Sequence, residues 1–546
     1  MADDATIAFP TLDASELLVL EAIGTKRPTA AGEYLYREGD ATFDFFVVLS
    51  GLVEIVARSD GEERIITSHG RGRFIGELSL LTGQRAFLSA RVVEHGEVIA
   101  VPRDALQHVI ATQPRLGDMI LAAFMARRSL LLRDAGAAIR VVGSRFSPEL
   151  LPIREFLSRN RIPHEWMEPE RDPDAERVLR EFDVTPEELP VVIASGSVLR
   201  QPTPGSVAEY LGLTIDSLPD RCFDLVVVGA GPAGLAAAVY GASEGLRTLL
   251  LEMVAVGGQA GTSSRIENYL GFPTGISGGD LMARAVVQAE KFGAHLTTPC
   301  TAQSLREQGG HLTVRLSDGT DVAGRAVIVA SGASYRRLDV ARLEDFEGTG
   351  VYYAATEMEA RLCAGSPVLV VGGGNSAGQA AVFLADASSV TVVIREPELG
   401  ANMSRYLVDR IEADARIIVR TNTRVIGLDG DRVLRSVLLS NPDGDSAVPC
   451  VALFSFIGAE PSSAWLSGCA ALDDSGFVLT DLSLSDEQLD VRWRALDRRP
   501  LPFETSHPGL FAVGDIRAGS TKRVAAAVGE GSASVRSVHA YLAFVH

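Results

Sequence analysis

Two glycine-rich stretches of this 546-residue chain have the residue types and spacing of loops that hold phosphate groups. The first is Gly229-Ala230-Gly231-Pro232-Ala233-Gly234, a full G-x-G-x-x-G. It follows the apolar run 224–228 and precedes an alanine-rich segment, so we expect a strand, a tight turn and a helix in that order. The first glycine permits the turn, the second admits a pyrophosphate, and the third lets helix and strand pack closely. The N-terminus of the helix would face the phosphates.

An acidic residue stands where the second half of such a unit needs one. Glu252 follows the predicted strand 248–251 and lies 18 residues after Gly234. A carboxylate at this distance can accept hydrogen bonds from ribose hydroxyls. Strand, loop, helix and acid together predict dinucleotide binding, and the alternative is a glycine-rich loop kept for packing alone.

The second glycine-rich loop is Gly372-Gly373-Gly374-Asn375-Ser376-Ala377, a G-x-G-x-x-A after the apolar run 368–371. Its following strand ends at Val392-Val393-Ile394-Arg395. Ile394 occupies the position at which a ribose-binding carboxylate would stand. The charged guanidinium of Arg395 can instead form hydrogen bonds to a 2′-phosphate. Glu396 would weaken that preference. The sequence therefore predicts NADPH rather than NADH at this loop.

The two loops and the sequence around them resemble the low-molecular-weight thioredoxin reductases over about residues 222–546. In that family the first loop binds FAD and the second binds NADPH. Two stretches are similar to flavin-contacting segments of the family: Gly257-Gly258-Gln259 and Glu267-Asn268-Tyr269. Leu270 stands where the family usually has proline, and Ala330-Ser331-Gly332 resembles its strand-end Ala-Thr-Gly.

The C-terminal part carries a second FAD motif of that family, Pro508-Gly509-Leu510-Phe511-Ala512-Val513-Gly514-Asp515. The resemblance implies that Asp515 accepts hydrogen bonds from the ribityl chain of FAD. Lys522-Arg523-Val524-Ala525 stands where the family has a flavin-contacting Arg-Gln-Ala. Gly514, Arg523, Val524 and Ala525 therefore join the predicted FAD-binding residues.

The redox dithiol of the family is missing. Where it has a Cys-x-x-Cys, this chain reads Tyr353-Ala354-Ala355-Thr356-Glu357, so that Ala354 and Glu357 replace the two cysteines. Without these thiols, electrons from the flavin have no dithiol through which they can reach thioredoxin. Cys363 is nearby but alone, and we expect a buried structural thiol. The residues that would perform catalysis are therefore unknown from the sequence.

Residues 10–133 resemble the cyclic nucleotide-binding domains of the catabolite activator protein and of cyclic-nucleotide-gated channels. The similarity lies in the stretch 74–86, which contains Gly76, Glu77, Leu78, Arg85 and Ala86. In the family the glutamate contacts the ribose 2′-OH and the arginine contacts the cyclic phosphate. Phe87-Leu88 and Gln84 depart from the pattern of the family. Two roles for the domain are therefore possible: binding of a cyclic nucleotide (cAMP or cGMP), or a scaffold role without a ligand.

Short strands are predicted in that domain at 45–49 and 53–56, separated by a turn at Ser50-Gly51, with an apolar helix near 117–133. Residues 138–213 resemble a glutaredoxin- or thioredoxin-like domain. Ser147-Pro148-Glu149-Leu150 replaces its Cys-Pro-x-Cys, and Leu189-Pro190-Val191 resembles its cis-proline turn. A structural or docking role is therefore favoured over catalysis.

The fold class predicted is multidomain. An N-terminal β-barrel or jelly-roll with helices precedes a thioredoxin-like α/β unit and two Rossmann-like α/β domains. The predicted boundaries are 1–135 for the nucleotide-binding-like domain, 138–213 for the thiol-free domain, 222–346 with 459–546 for FAD, and 347–458 for NAD(P)H.

Composition excludes several classes of protein. The net charge of −19 argues against a nucleic-acid partner, which needs a basic surface. Because the five cysteines show no Cys-x-x-Cys spacing, we expect neither a disulfide framework nor a zinc site, and no metal is predicted. We expect neither a signal peptide nor a membrane span, and hence a soluble cytoplasmic protein.

The predicted function is an FAD-dependent oxidoreductase. NADPH, held by Gly372, Gly374, Ser376 and Arg395, passes hydride to flavin N5, and the electrons then reach an unidentified small molecule or redox protein. A cyclic nucleotide would modulate the reaction, and the resemblance implies a homodimer. The alternatives are a thioredoxin-disulfide reductase, a ferredoxin or flavodoxin reductase, and a non-catalytic redox and nucleotide sensor.

Overall fold

A computed structural model describes residues 4–59, 62–77, 79–82, 84–133, 139–194, 196–214, 222–263, 266, 268–347, 349–353, 355, 357–431 and 433–545. The chain divides into two compact units. The first consists of residues 1–221, 242–255 and 287–300, and the second of residues 222–241, 256–286 and 301–546. The four-domain division remains a prediction.

The N-terminal β-domain of the first unit is built on one antiparallel sheet. Its strands are, in spatial order, Thr25–Thr29, Ser89–Val101, Phe45–Ser59 and Glu62–His69, with Tyr34–Tyr36 on Ser89–Val101 and Phe74–Ile75 on Phe45–Ser59. The predicted turn at Ser50-Gly51 is wrong, because Phe45–Ser59 continues through it as one strand. Register shifts near Ser50 mark a β-bulge there. Gly51 has φ +85, a conformation that suits a bulge as well as a turn.

Helices cover this sheet: Asp4–Ala8, Ala14–Ile23, Ser79–Thr82, Arg103–Thr112 and Pro114–Arg133. Ala14–Ile23 begins at a capping box. The Asp13 carboxylate accepts from the Glu16 N–H at 2.9 Å, and the Glu16 carboxylate accepts from the Asp13 N–H. The predicted apolar helix begins at Pro114 because proline suits the first helical position. Its Phe124 packs edge-on against Phe45 and Phe74 in the core.

The thiol-free α/β domain also lies in the first unit. Its four-stranded sheet has the order Ser197–Arg200, Val191–Ala194, Ile139–Val142 and Glu165–Met167. The helices are Leu150–Arg159, Pro173–Glu181 and Pro204–Leu211. The Leu189–Pro190 peptide bond is cis, as the resemblance implied. The first unit also contains Thr248–Leu251, paired in parallel with His295–Thr297.

The second unit contains a mixed sheet that carries the first glycine loop. Cys222–Val228 pairs in parallel with Asp321–Val329, which also pairs in parallel with Leu510–Ala512. On its other side follow two antiparallel strands, His311–Leu316 and then Ala302–Gln308. The apolar runs 225–228 and 326–329 are buried, as parallel strands covered on both faces require.

The second glycine loop belongs to a five-stranded parallel sheet in the same unit. Its order is Val351–Tyr352, Ala452–Ser455, Pro367–Val371, Ser389–Val393 and Ile417–Arg420. Three antiparallel strands (Arg424–Gly430, Leu434–Asn441, Gly444–Pro449) and the pair Ala333–Tyr335 with Ala459–Pro461 complete the strands described there. The remaining α-helices are Pro232–Ser243, Gly258–Gly261, Gly278–Lys291, Leu343–Phe346, Glu357–Cys363, Asn375–Leu384, Arg405–Ala413, Val491–Leu496 and Val524–Phe544.

Candidate functional site

The first glycine loop needs its glycines for different reasons. Gly229 has φ +105, and a Cβ there would overlap the backbone of Ala330. A Cβ on Gly234 would overlap the carbonyl oxygen of Gly229, so only glycine lets the helix Pro232–Ser243 begin so close to the strand. Gly231 has open space above it, since the nearest atom to a Cβ there is Gly258 Cα at 3.9 Å. This open backbone at a helix N-terminus fits a pyrophosphate.

The segment around Gly258 borders the same loop. The Gly257 N–H donates to Ala230 O at 2.7 Å, and a Cβ on Gly258 would lie 3.0 Å from Gly231 Cα. Gln259 donates its side-chain amide to the carbonyl oxygen of Ala333. The predicted contact stretch is thus held against the glycine loop by a backbone hydrogen bond.

Two other predicted FAD residues are placed differently. Gly332 has φ +66 just beyond the strand Asp321–Val329, and its neighbour Ser331 donates to Ser462 O at 2.9 Å. Asn268 is exposed. Its side chain is therefore open to solvent or to a ligand.

The C-terminal motif lies in a 3₁₀ turn, Gly514–Ile516, before the long helix Val524–Phe544. Burial raises the pKa of Asp515, an effect that nearby Lys522 opposes. Lys522 donates to the Asp515 carbonyl, and Arg523 is the N-cap residue of the helix. Arg523 and Ala525 are exposed and Val524 is half-buried, so this helix start is open to a ligand.

An ion pair that the motifs did not indicate supports this turn. Glu530 accepts from the Gly514 N–H at 2.7 Å and from Arg517 at 2.7 Å. Burial acts to raise the pKa of Glu530, but these hydrogen bonds outweigh it and lower the pKa. Only the spacing of Glu530 behind the Gly514-Asp515 motif, on the face of the next helix, could have suggested this role.

Glu252 is buried directly after the strand Thr248–Leu251. Its carboxylate accepts from the Val254 N–H at 3.1 Å. Its backbone N–H donates to Thr297 O and its carbonyl accepts from Cys300 N. The position of this acid is thus fixed at the end of the strand, where the motif requires it.

The second glycine loop has the same construction. Gly372 has φ +140, and a Cβ there would overlap the carbonyl oxygen of Phe456. Gly374 is the N-cap residue of the helix Asn375–Leu384 and has open space around it. Asn375 accepts from the Ser404 N–H at 2.7 Å, Ser376 is exposed at the helix start, and Ala377 is buried. The free helix N-terminus fits a second pyrophosphate.

The residues after the following strand differ in exposure. Ile394 is buried, whereas Arg395 is exposed and has no hydrogen-bond or ion-pair partner among the described residues. The Glu396 carboxylate lies 3.3 Å from the position of a Cβ on Gly373. A free guanidinium and an acid therefore stand together beside the loop.

The structure describes only part of the segment that is predicted to replace the dithiol. Ala354 lies outside the described residues, and Glu357 begins the helix Glu357–Cys363. Burial, assisted by Glu359, raises the pKa of the Cys363 thiol to about 11. Burial likewise raises the pKa of Cys450 to about 12. Both thiols are protonated at neutral pH and are poor nucleophiles.

The predicted nucleotide residues of the N-terminal β-domain already have protein partners. Glu77 is buried and forms an ion pair with Arg128 at 2.9 Å. Arg85 donates to the carbonyl oxygens of Tyr210 at 2.5 Å and Gly39 at 2.8 Å. Gly76 has φ +153 and Ala86 is buried, while Leu78 lies outside the described residues. Sequence reasoning missed Arg128, which the helix Pro114–Arg133 brings to Glu77.

Comparison with known families identifies the protein family to which the two glycine loops belong. The sequence profile of the pyridine nucleotide-disulphide oxidoreductases matches residues 223–531, more than half of the chain. The chain belongs to this family. A second profile, that of the cyclic nucleotide-binding domain, matches residues 26–113.

Several thioredoxin reductases are similar to the C-terminal part. That of Listeria monocytogenes is 30% identical over 327 residues, covering 59% of this chain and 95% of the relative. That of Mycolicibacterium smegmatis is 33% identical over 323 residues, covering 59% and 96%. The crystal structure of Lactococcus lactis thioredoxin reductase has a TM-score of 0.52 at 25% identity and covers 59% of this chain and 99% of its own.

This family member is therefore a thioredoxin reductase-like flavoprotein oxidoreductase with an N-terminal cyclic nucleotide-binding domain. FAD and NADPH are its cofactors, and the open backbone at Gly231 and Gly374 fits their pyrophosphates. Among the described residues, no helix is long and apolar enough to cross a membrane. No group of potential metal ligands is found within the same described ranges.

The exposed Arg395 leads to a prediction on cofactor preference. Arg395→Ala is expected to raise the KM for NADPH about 10- to 150-fold, since a hydrogen bond to a charged group contributes roughly 1.5–3 kcal/mol. The KM for NADH should change little, because NADH has no 2′-phosphate. Steady-state kinetics with both nucleotides measure this difference.

A matched control is Arg416→Ala in the same sheet. Arg416 is exposed and pairs with Asp414 at 2.7 Å, just before the strand Ile417–Arg420. It therefore stands at the amino end of a parallel strand, opposite the edge that carries the loops. An equal rise of both KM values in Arg395→Ala would contradict the assignment.

Proposed function

We propose that this protein oxidises NADPH and delivers the electrons, through bound FAD, to an acceptor that is reached without a Cys-x-x-Cys. The observation that supports this most strongly is the combination of two complete glycine loops with the dithiol-free stretch 353–357. NADPH loses a hydride and leaves as NADP⁺, and the acceptor gains the two electrons.

The residues of the chain have separate tasks in this proposal. The backbone at Gly231 and the helix start at Pro232 bind the FAD pyrophosphate, and Glu252 is the sequence-based candidate for its ribose. The backbone at Gly374 and the exposed Arg395 bind NADPH. When bound, FAD supplies the redox chemistry.

The position of Asp515 is set by the turn that Glu530 and Arg517 support. Since burial raises the pKa of Asp515, its carboxyl group is more readily protonated than an exposed one. Such a group can hold a proton or accept a hydrogen bond from a ribityl hydroxyl.

The electron acceptor is a small molecule or a redox protein other than thioredoxin. Reduction of thioredoxin requires a thiolate of the enzyme that attacks the thioredoxin disulfide and is then regenerated. Cys363 and Cys450 are buried and protonated, so neither can serve at neutral pH. A ferredoxin or flavodoxin, which accepts electrons without thiol exchange, is compatible with this chain.

Cyclic nucleotide regulation remains the sequence-based prediction for the N-terminal β-domain. A cyclic phosphate would have to take Arg85 from the carbonyl oxygens of Tyr210 and Gly39. The ribose would have to compete with Arg128 for Glu77. The contacts observed therefore favour a ligand other than a cyclic nucleotide.

Rapid anaerobic mixing with NADPH tests the proposed function. The flavin absorbance near 450 nm should bleach within the range of typical enzyme turnover, about 1–1000 s⁻¹. A screen of electron acceptors, with NADPH consumption as the readout, then identifies the acceptor class. Bleaching over minutes, without acceptor-dependent NADPH consumption, would instead identify a redox sensor.

A further inference from the structure

The N-terminal β-domain contains a cavity of about 90 Å³ that is partly open to solvent. Ten of its fifteen lining residues are aliphatic or aromatic, among them Tyr36, Ile55, Phe87 and Leu131. A cavity with this apolar lining favours a ligand with an apolar body, because burial of apolar surface supplies the free energy of binding.

A buried guanidinium lies at one wall of this cavity. Arg127 donates to the backbone carbonyl oxygens of Ala8, Gly76 and Phe74. A guanidinium has five N–H groups, so two remain available after these bonds. No carboxylate among the described residues forms an ion pair with it.

The charge of Arg127 persists in the cavity. Burial lowers its pKa to about 10, which leaves the group protonated at neutral pH. Of the charged groups that act on it, Glu77 is already paired with Arg128, and Arg73 adds a further positive charge. The local balance is therefore positive, and an anion would compensate it.

A second polar group with unused hydrogen-bonding capacity lines the same cavity. His69 is 1% exposed, and its Nδ1 has no hydrogen-bond partner. Burial lowers its pKa to about 3, and Arg127 and Arg73 act in the same direction, so the imidazole is neutral. In the Nδ1–H tautomer it would donate one hydrogen bond to an anion at Arg127. An unpaired buried donor is costly, and a ligand that satisfies it gains that free energy.

We propose that this cavity binds a small amphiphilic carboxylate, with an apolar chain or ring against the aliphatic and aromatic wall and the carboxylate held by Arg127 and His69. A cyclic nucleotide fits these surroundings less well. Its ribose and base carry several polar groups, whereas Phe87 and Leu88 present apolar surface at the end of the nucleotide-binding motif. Of the residues that would recognise its phosphate and ribose, Arg85 donates to the Tyr210 carbonyl, and Glu77, which also lines the cavity, is paired with Arg128.

Calorimetric titration of the full-length FAD-loaded protein tests this without any turnover. The probes are decanoate, decanol, cAMP and cGMP. Decanoate is expected to bind about 10- to 100-fold more tightly than decanol, because only the carboxylate makes charge-assisted hydrogen bonds. Equal affinity for decanoate and decanol, binding of cAMP or cGMP in preference to decanoate, or no heat with decanoate would each overturn the proposal.

Variants then locate the site. Arg127→Gln and His69→Phe are expected to weaken decanoate binding, Arg127→Gln by about 10-fold or more. The matched control is Arg115→Gln on the same helix, since Arg115 is 87% exposed and its loss changes the net charge equally. Unchanged decanoate affinity in both cavity variants would overturn the assignment.

The test does not depend on the stability of these variants. Thermal unfolding of each variant establishes that it is folded at the titration temperature. The comparison of decanoate with decanol uses the wild-type protein alone. Because binding heat is measured without NADPH, the result is independent of whether the proposed reductase activity is correct.

Discussion

A variant without cysteines is expected to oxidise NADPH as fast as the wild type when a small electron acceptor is supplied. The substitutions are Cys222→Ser, Cys300→Ala, Cys363→Ala, Cys450→Ala and Cys469→Ser. The kcat should stay within about a factor of three, because a group that makes no transition-state contact contributes nothing to it. Thioredoxin reduction should be absent in the variant and in the wild type. NADPH consumption with ferricyanide and with thioredoxin measures the two activities.

The control for this result introduces a dithiol at the positions where the sequence comparison predicts that the family's dithiol is replaced. Ala354→Cys with Glu357→Cys places two thiols at the Cys-x-x-Cys spacing. Because Cys300, Cys363 and Cys450 are buried, thermal unfolding must show that the cysteine-free variant remains folded. Rapid thioredoxin turnover by the wild type, lost in the cysteine-free variant, would refute catalysis without thiols.

Gly531→Ala is expected to release FAD. A Cβ on Gly531 would overlap the carbonyl oxygen of Ala233 and lie 3.1 Å from its Cα. The helix Val524–Phe544 would have to move away from the first glycine loop, and overpacking of this kind costs roughly 1–3 kcal/mol. The same movement would displace Glu530 from the Gly514 N–H. The bound FAD per chain after gel filtration and the midpoint of thermal unfolding report the change.

Gly529→Ala in the same helix is the matched control. A Cβ on Gly529 meets no atom within 4 Å, and φ there is not positive. Alanine has a higher helix propensity than glycine by about 1 kcal/mol, so this variant should keep FAD and unfold at an equal or higher temperature. Loss of FAD in Gly529→Ala, or full retention in Gly531→Ala, would contradict the packing argument.

The glycine loops show how much of the structure the local sequence can predict. G-x-G-x-x-G and G-x-G-x-x-A describe contacts between residues a few positions apart, such as Gly234 against Gly229. Short-range steric rules therefore favour the strand, turn and helix locally, while Gly229 and Gly372 also make room for the distant backbone of Ala330 and Phe456. The apolar runs likewise favour strands locally, but their parallel pairing joins distant parts of the chain.

The β-bulge at Ser50-Gly51 marks a limit of local reasoning. Serine and glycine with positive φ suit both a turn and a bulge. The long partner strand Ser89–Val101 decides between them, because it pairs with residues on both sides of Gly51. Such pairing joins residues about 40 positions apart and leaves no local pattern.

The partners of charged side chains were decided by tertiary structure alone. The motifs named Glu77, Arg85 and Asp515, but they could not indicate Arg128, the Tyr210 carbonyl or Glu530. Sequence composition shows which residues can carry charge or donate a hydrogen bond. Only packing determines which of them are already paired and which, like Arg127 and His69, face a cavity with hydrogen-bonding capacity left over. The physical reason is that a buried polar group is satisfied by whichever element the fold brings to it, at any separation along the chain.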